Sequence, residues 1–435
     1  MSIAPKHRRS LLSSEARVQA PWIKVKIGNY TFGVFSQSKG REKTDQNFYM
    51  AYHVQYPNYV KSLTIQKING QVNQYTLSLV YPVRVGDDPN FFDKVFSSVS
   101  KSRKIVFTYG DAAMPSYIYK DEEAIITKIS QTFGFGAGGS SDSVINYTVN
   151  AVSSAMLGKT GSYTFIGGRF KPSDRIKEIF NNSNYGLQAI FTGMNKSNID
   201  SLVAGDDMTV EIETKKNINP IDYITYLVSC MIPSGSTREM RSKSIYIYTI
   251  HDDTVYDSLY GNESLGGPYF KVTKVSYNKS YSDAYEVDIG INTSTIVTNF
   301  QINQNDNYSI LFDYQDELHP EEYVRRINNK GEWEDIYAPS FISNNENRYA
   351  KPNDITWYTK LTKYPISANI TIQGLVRPAM LMTYLRLNVI FPGARKHTAS
   401  GLYIVTSQQD TIDESGYRTT LGLTRIDGDD NLETE

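Results

Sequence analysis

Alternation of apolar and polar positions dominates the chain. Residues 22–27 alternate from Trp22 to Ile27, Gly28-Asn29 marks a turn, and 30–35 follow as the partner of a hairpin with one buried face. A clearer hairpin is predicted between 59–68 and 74–81, with Asn69-Gly70 in its loop. One helix interrupts this sheet. Asp88 is placed to cap it, Pro89 suits its first position, and Phe92, Val95, Phe96 and Val99 form an apolar stripe, which predicts a helix over 89–100. Strands resume at 104–109, 124–133 and 143–151. Roughly seven strands and one helix in about 130 residues predict a closed or nearly closed β-domain.

The pattern then changes period. Ser173 and Asp174 open a helix with Ile176, Ile179 and Phe180 inward, 208–213 reads as a strand, and Asn219-Pro220-Ile221-Asp222 is a strong helix start. Behind it Ile221, Ile224, Leu227 and Val228 share one face. Strands return at 244–250, 269–275, 284–289 and 295–302, and again at 368–373, 385–390, 401–406 and 417–425. Between these sets, 303–365 is polar, Asn-rich and weakly periodic, a long excursion that predicts an arm or interface loop. The domains expected are an N-terminal arm at 1–19, a β-domain at 20–157, an α+β domain at 158–290, a second β-domain at 291–426 carrying the excursion, and an acidic tail at 427–435. The fold class is mainly β with an α+β insert.

Composition narrows the function classes. The chain has 435 residues, matching about three domains at roughly 150 residues each. Lys plus Arg total 45 against 46 acidic residues, a net charge of −1, which argues against a dedicated nucleic-acid or membrane-surface binder. The arm carries Lys6, Arg8, Arg9 and Arg17, too few charges for a nucleic-acid tail. A single cysteine excludes an intramolecular disulfide and a cysteine-cluster metal site. No apolar run approaches a membrane span, and the N-terminus lacks an apolar signal core, so no secretory route is expected and triplets such as Asn146-Tyr147-Thr148 read as chance. Tyrosine is the outlier at 33 residues, more than Phe and Trp together, and suits half-buried pleated surfaces.

Candidate chemistry is sparse. Gly134-Phe135-Gly136-Ala137-Gly138-Gly139 matches a dinucleotide fingerprint after a strand, but that loop must open a helix whose N-terminus holds the pyrophosphate, and 143–151 alternates like a strand. A hairpin tip is the better reading. His7, His53, His251, His319 and His397 have no metal-ligand spacing. His251-Asp252-Asp253 reads as a solvated turn between strands. Cys230 lies on an apolar helix and reads as a buried structural thiol. Asp427-Gly428-Asp429-Asp430 lacks the spacing of a calcium loop and reads as a solvated tail. No nucleophile elbow or Walker loop occurs. The expectation is a protein that is not an enzyme, with no catalytic, cofactor-binding or metal-binding residues and no cofactor.

Two stretches carry a resemblance. The first runs through Leu77-Ser78-Leu79-Val80-Tyr81-Pro82, then Asp88-Pro89-Asn90-Phe91-Phe92-Asp93, then 103–111. The second runs through 368–378, 400–406 and 416–425. Both are similar to the baseplate hub proteins of tailed bacteriophages, the family that includes prophage late control proteins, and the order of segments resembles theirs over about 20–426. The resemblance implies two tail-tube-like β-barrel domains in one chain. It also implies a homotrimeric ring that adapts the sixfold tail tube to a threefold central spike, and a place in the virion tail or baseplate after synthesis in the host cytoplasm. The implied partners are the chain itself, tube protein, spike protein and other baseplate proteins, with DNA passing through the channel without specific binding and no membrane span. The competing readings are a tail-associated cell-wall hydrolase, a receptor- or carbohydrate-binding virion protein, and a hexameric distal-tail or tube ring protein.

Overall fold

The computed structural model describes residues 21–35, 54–111, 118–135, 143–234, 244–252, 267–276, 284–290, 297–304, 323–327, 333–337, 366–373, 380–392, 395–397 and 399–426. The N-terminal arm, the acidic tail and most of the 303–365 excursion, apart from 303–304 and the strands at 323–327 and 333–337, lie outside them.

The first β region contains β1 (Pro21–Ile27), β2 (Tyr30–Phe35), β3 (Tyr56–Pro57), β4 (Val60–Ile68), β5 (Gln74–Val83), β6 (Lys104–Asp111), β7 (Ile118–Gly134) and β8 (Ser143–Ser153). Their order in the sheet is β4-β5-β8-β7-β6-β1-β2-β3. Both predicted hairpins form, with Gly28 (φ 59°) and Gly70 (φ 73°) supplying the positive φ their turns require. The sheet rolls until β2 lies against β4, and it encloses a core that includes Ile23, Val25, Phe32, Leu63, Leu77, Phe107 and Val149.

The interrupting helix, α1 (Phe91–Ser98), is shorter than the 89–100 expected. Its N-cap is Asn90, whose side chain makes no capping bond, so the expected cap at Asp88 is corrected. The Asp88 carboxylate accepts instead from the Asn90 amide at 3.0 Å and from Lys94 Nζ at 2.5 Å. Its carbonyl accepts from the Phe91 amide and the Tyr81 hydroxyl. Asp88 thus builds the turn that precedes the helix. Phe92 and Val95 are buried as expected, whereas Phe96 is half-buried.

The middle region is α+β. Two short antiparallel pairs join β9 (Tyr163–Phe165) to β12 (Lys215–Ile218) and β10 (Gly168–Phe170) to β11 (Val210–Ile212). Helices α2 (Pro172–Asn181) and α3 (Pro220–Ser229) pack together over a core that includes Phe165, Ile176, Phe180, Ile221, Tyr223 and Ile224. Asn219 caps α3 as predicted, accepting from the Asp222 amide at 2.8 Å. Asn219→Ala is expected to lower stability by about 1 kcal/mol in a denaturant titration.

β13 (Ser244–His251) and β14 (Tyr269–Ser276) form an antiparallel pair. One of its faces, with Tyr246, Ile250, Phe270 and Val272, joins the middle core. The other, with Ile247 and Val275, packs on Ile404, Leu402 and Ile426 of the last β region.

That region contains β15 (Tyr285–Gly290), β16 (Val297–Gln304), β19 (Ile366–Gln373), β20 (Tyr384–Phe391), β21 (Arg395–Lys396), β22 (Gly401–Asp413) and β23 (Gly416–Arg425). Within the excursion, β17 (Tyr323–Ile327) and β18 (Trp333–Tyr337) pair only with each other among the described residues. The main order is β16-β19-β23-β22-β20-β15. β22 is longer than the expected 401–406. Its first half pairs with β20, and Ser407–Ile412 then pair antiparallel with Ile68–Leu63 of β4. The two β regions are therefore one continuous sheet of fifteen strands.

The same unit occurs twice in that sheet. β4-β5-β8-β7-β6 matches β16-β19-β23-β22-β20 in order and direction. The match extends to single residues. The β4–β5 ladder slips between Val60 and Ser62, and the β16–β19 ladder slips between Val297 and Asn299. β7–β8 slips between Ile126 and Lys128, and β22–β23 slips between Val405 and Ser407. At each second slip a threonine bulges. Thr127 Oγ1 donates to the Asn150 carbonyl at 3.1 Å, and Thr406 Oγ1 donates to the Gly422 carbonyl at 3.2 Å. The outermost strands differ, since β1 runs antiparallel to β6 and β15 runs parallel to β20.

Candidate functional site

The most unusual chemistry lies where the first β region, the β13 end and β22 meet. Three carboxylates and one lysine are buried there: Glu122 on β7, Asp252 after β13, Asp410 on β22 and Lys67 on β4. Strand alternation puts them inside. Lys67 faces the core of its own unit because β22 runs beside β4, with Gln408 directly opposite Lys67.

Lys67 Nζ lies 3.8 Å from Glu122 Oε1 and 3.9 Å from Asp410 Oδ2, and it donates to the Tyr109 hydroxyl at 3.2 Å. Asp410 accepts from Gln408 Nε2 at 2.9 Å and from Thr419 Oγ1 at 2.7 Å. Asp252 accepts from Asn73 Nδ2 at 2.8 Å and from the Ser153 hydroxyl. Tyr75 Oη lies 2.9 Å from Glu122 Oε2 and 2.8 Å from Asp252 Oδ2. One hydroxyl hydrogen points at only one of these two carboxyl groups at a time, so the arrangement favours a proton on one of them. Electrostatics agree. Burial, with the Asp252 charge adding to it, raises Glu122 to about 7 despite Lys67 and the two tyrosines. Burial also raises Asp252, against the hydrogen bonds from Ser153, Tyr75 and Asn73 and the charge of Lys67, and it raises Tyr75 well above its ordinary value.

A carboxyl raised in the folded state binds more protons there than in the unfolded chain between its ordinary value of 4.5 and about 7. Its contribution to stability is complete below 4.5 and is lost as pH rises through about 7. At 1.36 kcal/mol per pKa unit that is roughly 3 kcal/mol. Glu122→Gln is therefore expected to flatten the decline of unfolding free energy between about pH 5 and about pH 8. A variant with the same slope as the parent would contradict the assignment.

Every member of this cluster is buried, and together they tie three parts of the chain to one another. The cluster also corrects one reading. Asp252 is a buried acceptor, not part of a solvated turn, while Asp253 lies outside the described residues. The signal present in the sequence was the abrupt acidic residue after the apolar strand 244–250. Its partners Asn73, Tyr75 and Ser153 are distant in sequence and gave no signal.

The other sequence candidates are scattered. Gly134 ends β7 and Ser143 opens β8 as a strand, while residues 136–142, which hold the other three glycines, lie outside the described residues. Cys230 is buried at the end of α3, and burial pushes its thiol up to about 11, away from nucleophilic character. His251 stacks on Tyr269, and His397 accepts from the Ala399 amide at Nδ1. His7, His53, His319 and the 427–430 acidic run lie outside the described residues. Among the described residues no group of His, Cys, Asp or Glu is arranged to hold a metal ion, and no helix is long and apolar enough to cross a membrane.

No protein-family model matches the sequence, and no curated protein matches it. Among solved structures, the chain is similar to the tail protein from Neisseria meningitidis MC58 at 10% identity and TM-score 0.43, over 93% of this chain and 96% of that one. It is similar to the 43 kDa tail protein of prophage MuSo2 from Shewanella oneidensis at 10% identity and TM-score 0.45, over 93% and 98%. It is also similar, at 8% identity and TM-score 0.39 over 85% and 74%, to the E. coli c3393 protein. That protein is a type VI secretion component with structural similarity to the T4 tail proteins gp27 and gp5.

Proposed function

We propose that this chain is a structural, non-enzymatic hub of a phage tail or related injection particle, built as two consecutive segments of a ring. The observation that carries the reading is the repeated five-strand unit, with both bulges in register, joined edge to edge through β22 and β4. A protein built from two like segments joined side by side is suited to continuing that succession with copies of itself around an axis. The phage-hub resemblance in the sequence supplies the rest of the reading. Each unit stands for one tube-like subunit, three chains present six units to a tube, and the same three chains meet a threefold spike. Boundaries near 20–157, 158–290 and 291–426 follow, except that β15 pairs with β20 and so goes with the second unit. The near-zero net charge suits a channel through which DNA slides, since each phosphate contact adds grip.

Stoichiometry in the assembled particle tests the reading. Three copies in one ring are expected. Six copies in a stack of identical rings would point to a tube protein, and turnover of peptidoglycan by the purified chain would point to a hydrolase.

A further inference from the structure

The repeat places two strand edges in contact inside the chain, and the equivalent two edges have no partner strand among the described residues. Superposing the ladders residue by residue makes Lys128–Phe133 of β7 the counterparts of Ser407–Ile412 of β22, and Phe300–Asn303 of β16 the counterparts of Leu63–Gln66 of β4. β22 and β4 pair with each other. Beyond Ile126, β7 has no strand on its β6 side among the described residues, and β16 has no strand on the side away from β19.

Burial records the difference. Ile412 and Gln408, at the joint, are 2% and 1% exposed. Their counterparts Phe133 and Ile129 are 54% and 36% exposed, although they share a face with the buried Ile145 and Val149 across the ladder. On the other strand Leu63 and Ile65 are fully buried, while their counterparts Phe300 and Ile302 are only half-buried. Core-facing side chains are thus left uncovered on both edges, at the positions where the internal joint covers them. Neither edge is blunted in the usual way. β16 (Val297–Gln304) contains no charge and no proline, and 129–134 contains neither.

We propose that β16 of one copy of this chain pairs antiparallel with the 129–133 edge of β7 in a second copy, with Phe300 opposite Phe133, Gln301 opposite Thr132 and Asn303 opposite Ser130. The occupant is a second copy because the chain already contains the complementary pair, joined in the same register. The contact is heterologous, so each copy uses one edge of each kind and the sheet runs on from copy to copy. This rests on the reading of the chain as two ring segments, and it names the surface through which the ring closes.

The test uses the full chain carrying Thr132→Cys and Gln301→Cys. Both sites are exposed, and the native thiol Cys230 is buried. Directly opposed strand residues sit about 4.5–5.5 Å apart at Cα, inside disulfide range. Mild oxidation at high protein concentration is expected to give covalent oligomers. A mixture of the two single variants is expected to give covalent dimers only, and each single variant alone none. Phe133→Glu is expected to weaken association by about tenfold or more with an unchanged melting temperature. A chain that associates without forming the disulfide overturns the pairing while leaving the ring reading in place. So does a chain that cross-links equally well in the shifted pair Thr132→Cys with Asn303→Cys. A chain that stays monomeric and traps no covalent dimer also overturns the pairing. Efficient cross-linking into assemblies of some number other than three supports the pairing and overturns the hub stoichiometry.

Discussion

Lys67→Met is expected to lower the unfolding free energy by about 3–5 kcal/mol at neutral pH, because it removes a cation set among three buried acidic side chains. Lys67 is 8% exposed, and Glu122, Asp252 and Asp410 are almost completely buried. Attraction to Lys67 offsets part of the cost of holding them away from water. Methionine keeps the length of the stem but leaves the carboxylates facing each other without it. The loss should shrink as pH falls through about 7, since Glu122 is then neutral in both proteins; burial shifts Asp252 in the same direction. Pairing the substitution with Asp410→Asn in a double-mutant cycle isolates the Lys67–Asp410 term. That term measures how firmly the two repeated units are joined, because Lys67 and Asp410 belong to different units and their contact crosses the joint. A loss below about 1 kcal/mol would mean that the acids are already neutral or that water reaches them.

Local pattern made most elements readable. Strand alternation marked both N-terminal hairpins, and Asn219-Pro220 marked α3, because these signals depend on residues a few positions apart. The repeat was not readable residue by residue, and the reason is physical. A pleated core constrains the filled volume, not the identity of each residue. At matching positions the first unit has Tyr75 and Ala124 where the second has Ala368 and Tyr403, a large and a small residue exchanged on buried faces. Leu63 and Leu77 are matched by Phe300 and Ile370, which share only their apolar character, while Ile65 is matched by Ile302. What survives is geometry: two ladder slips and a threonine at one of the bulges. The buried charge cluster was hidden for a different reason. Lys67, Glu122, Asp252 and Asp410 are each ordinary surface residue types, and only the packing of β4, β7, β22 and the end of β13 against one another brings them together inside. Asp88 was misread because an Asp followed by Pro satisfies the composition of a cap, while its carboxylate is used one turn earlier by the Asn90 amide and Lys94.

Phe92→Ala is expected to cost about 3–5 kcal/mol and to loosen the β7 edge beside it. Phe92 is fully buried and anchors α1 to the first unit. Its ring stacks on Phe32 at 5.2 Å, lies 4.9 Å from Tyr147 and meets Tyr81 edge-on at 5.7 Å. These neighbours sit on β2, β8 and β5, held by ladders that restrict collapse into the space left behind, which puts the cost toward the upper end of the range. Phe96, half-buried on the same helix, should cost only about 1–2 kcal/mol on truncation. The consequence for the edge follows from one contact. Asp93, next to Phe92, accepts from Gln131 Nε2 at 2.9 Å, and Gln131 lies within the stretch of β7 that lacks a second partner strand among the described residues. A helix freed from its seat releases Gln131. Backbone amides at 129–133 should then exchange with solvent faster in Phe92→Ala than in a variant matched for global stability, such as Phe180→Ala in the middle core. Equal exchange in the two variants would show that α1 stabilises its own unit without holding the edge. An unchanged melting temperature in Phe92→Ala would show that the buried face of α1 is misassigned.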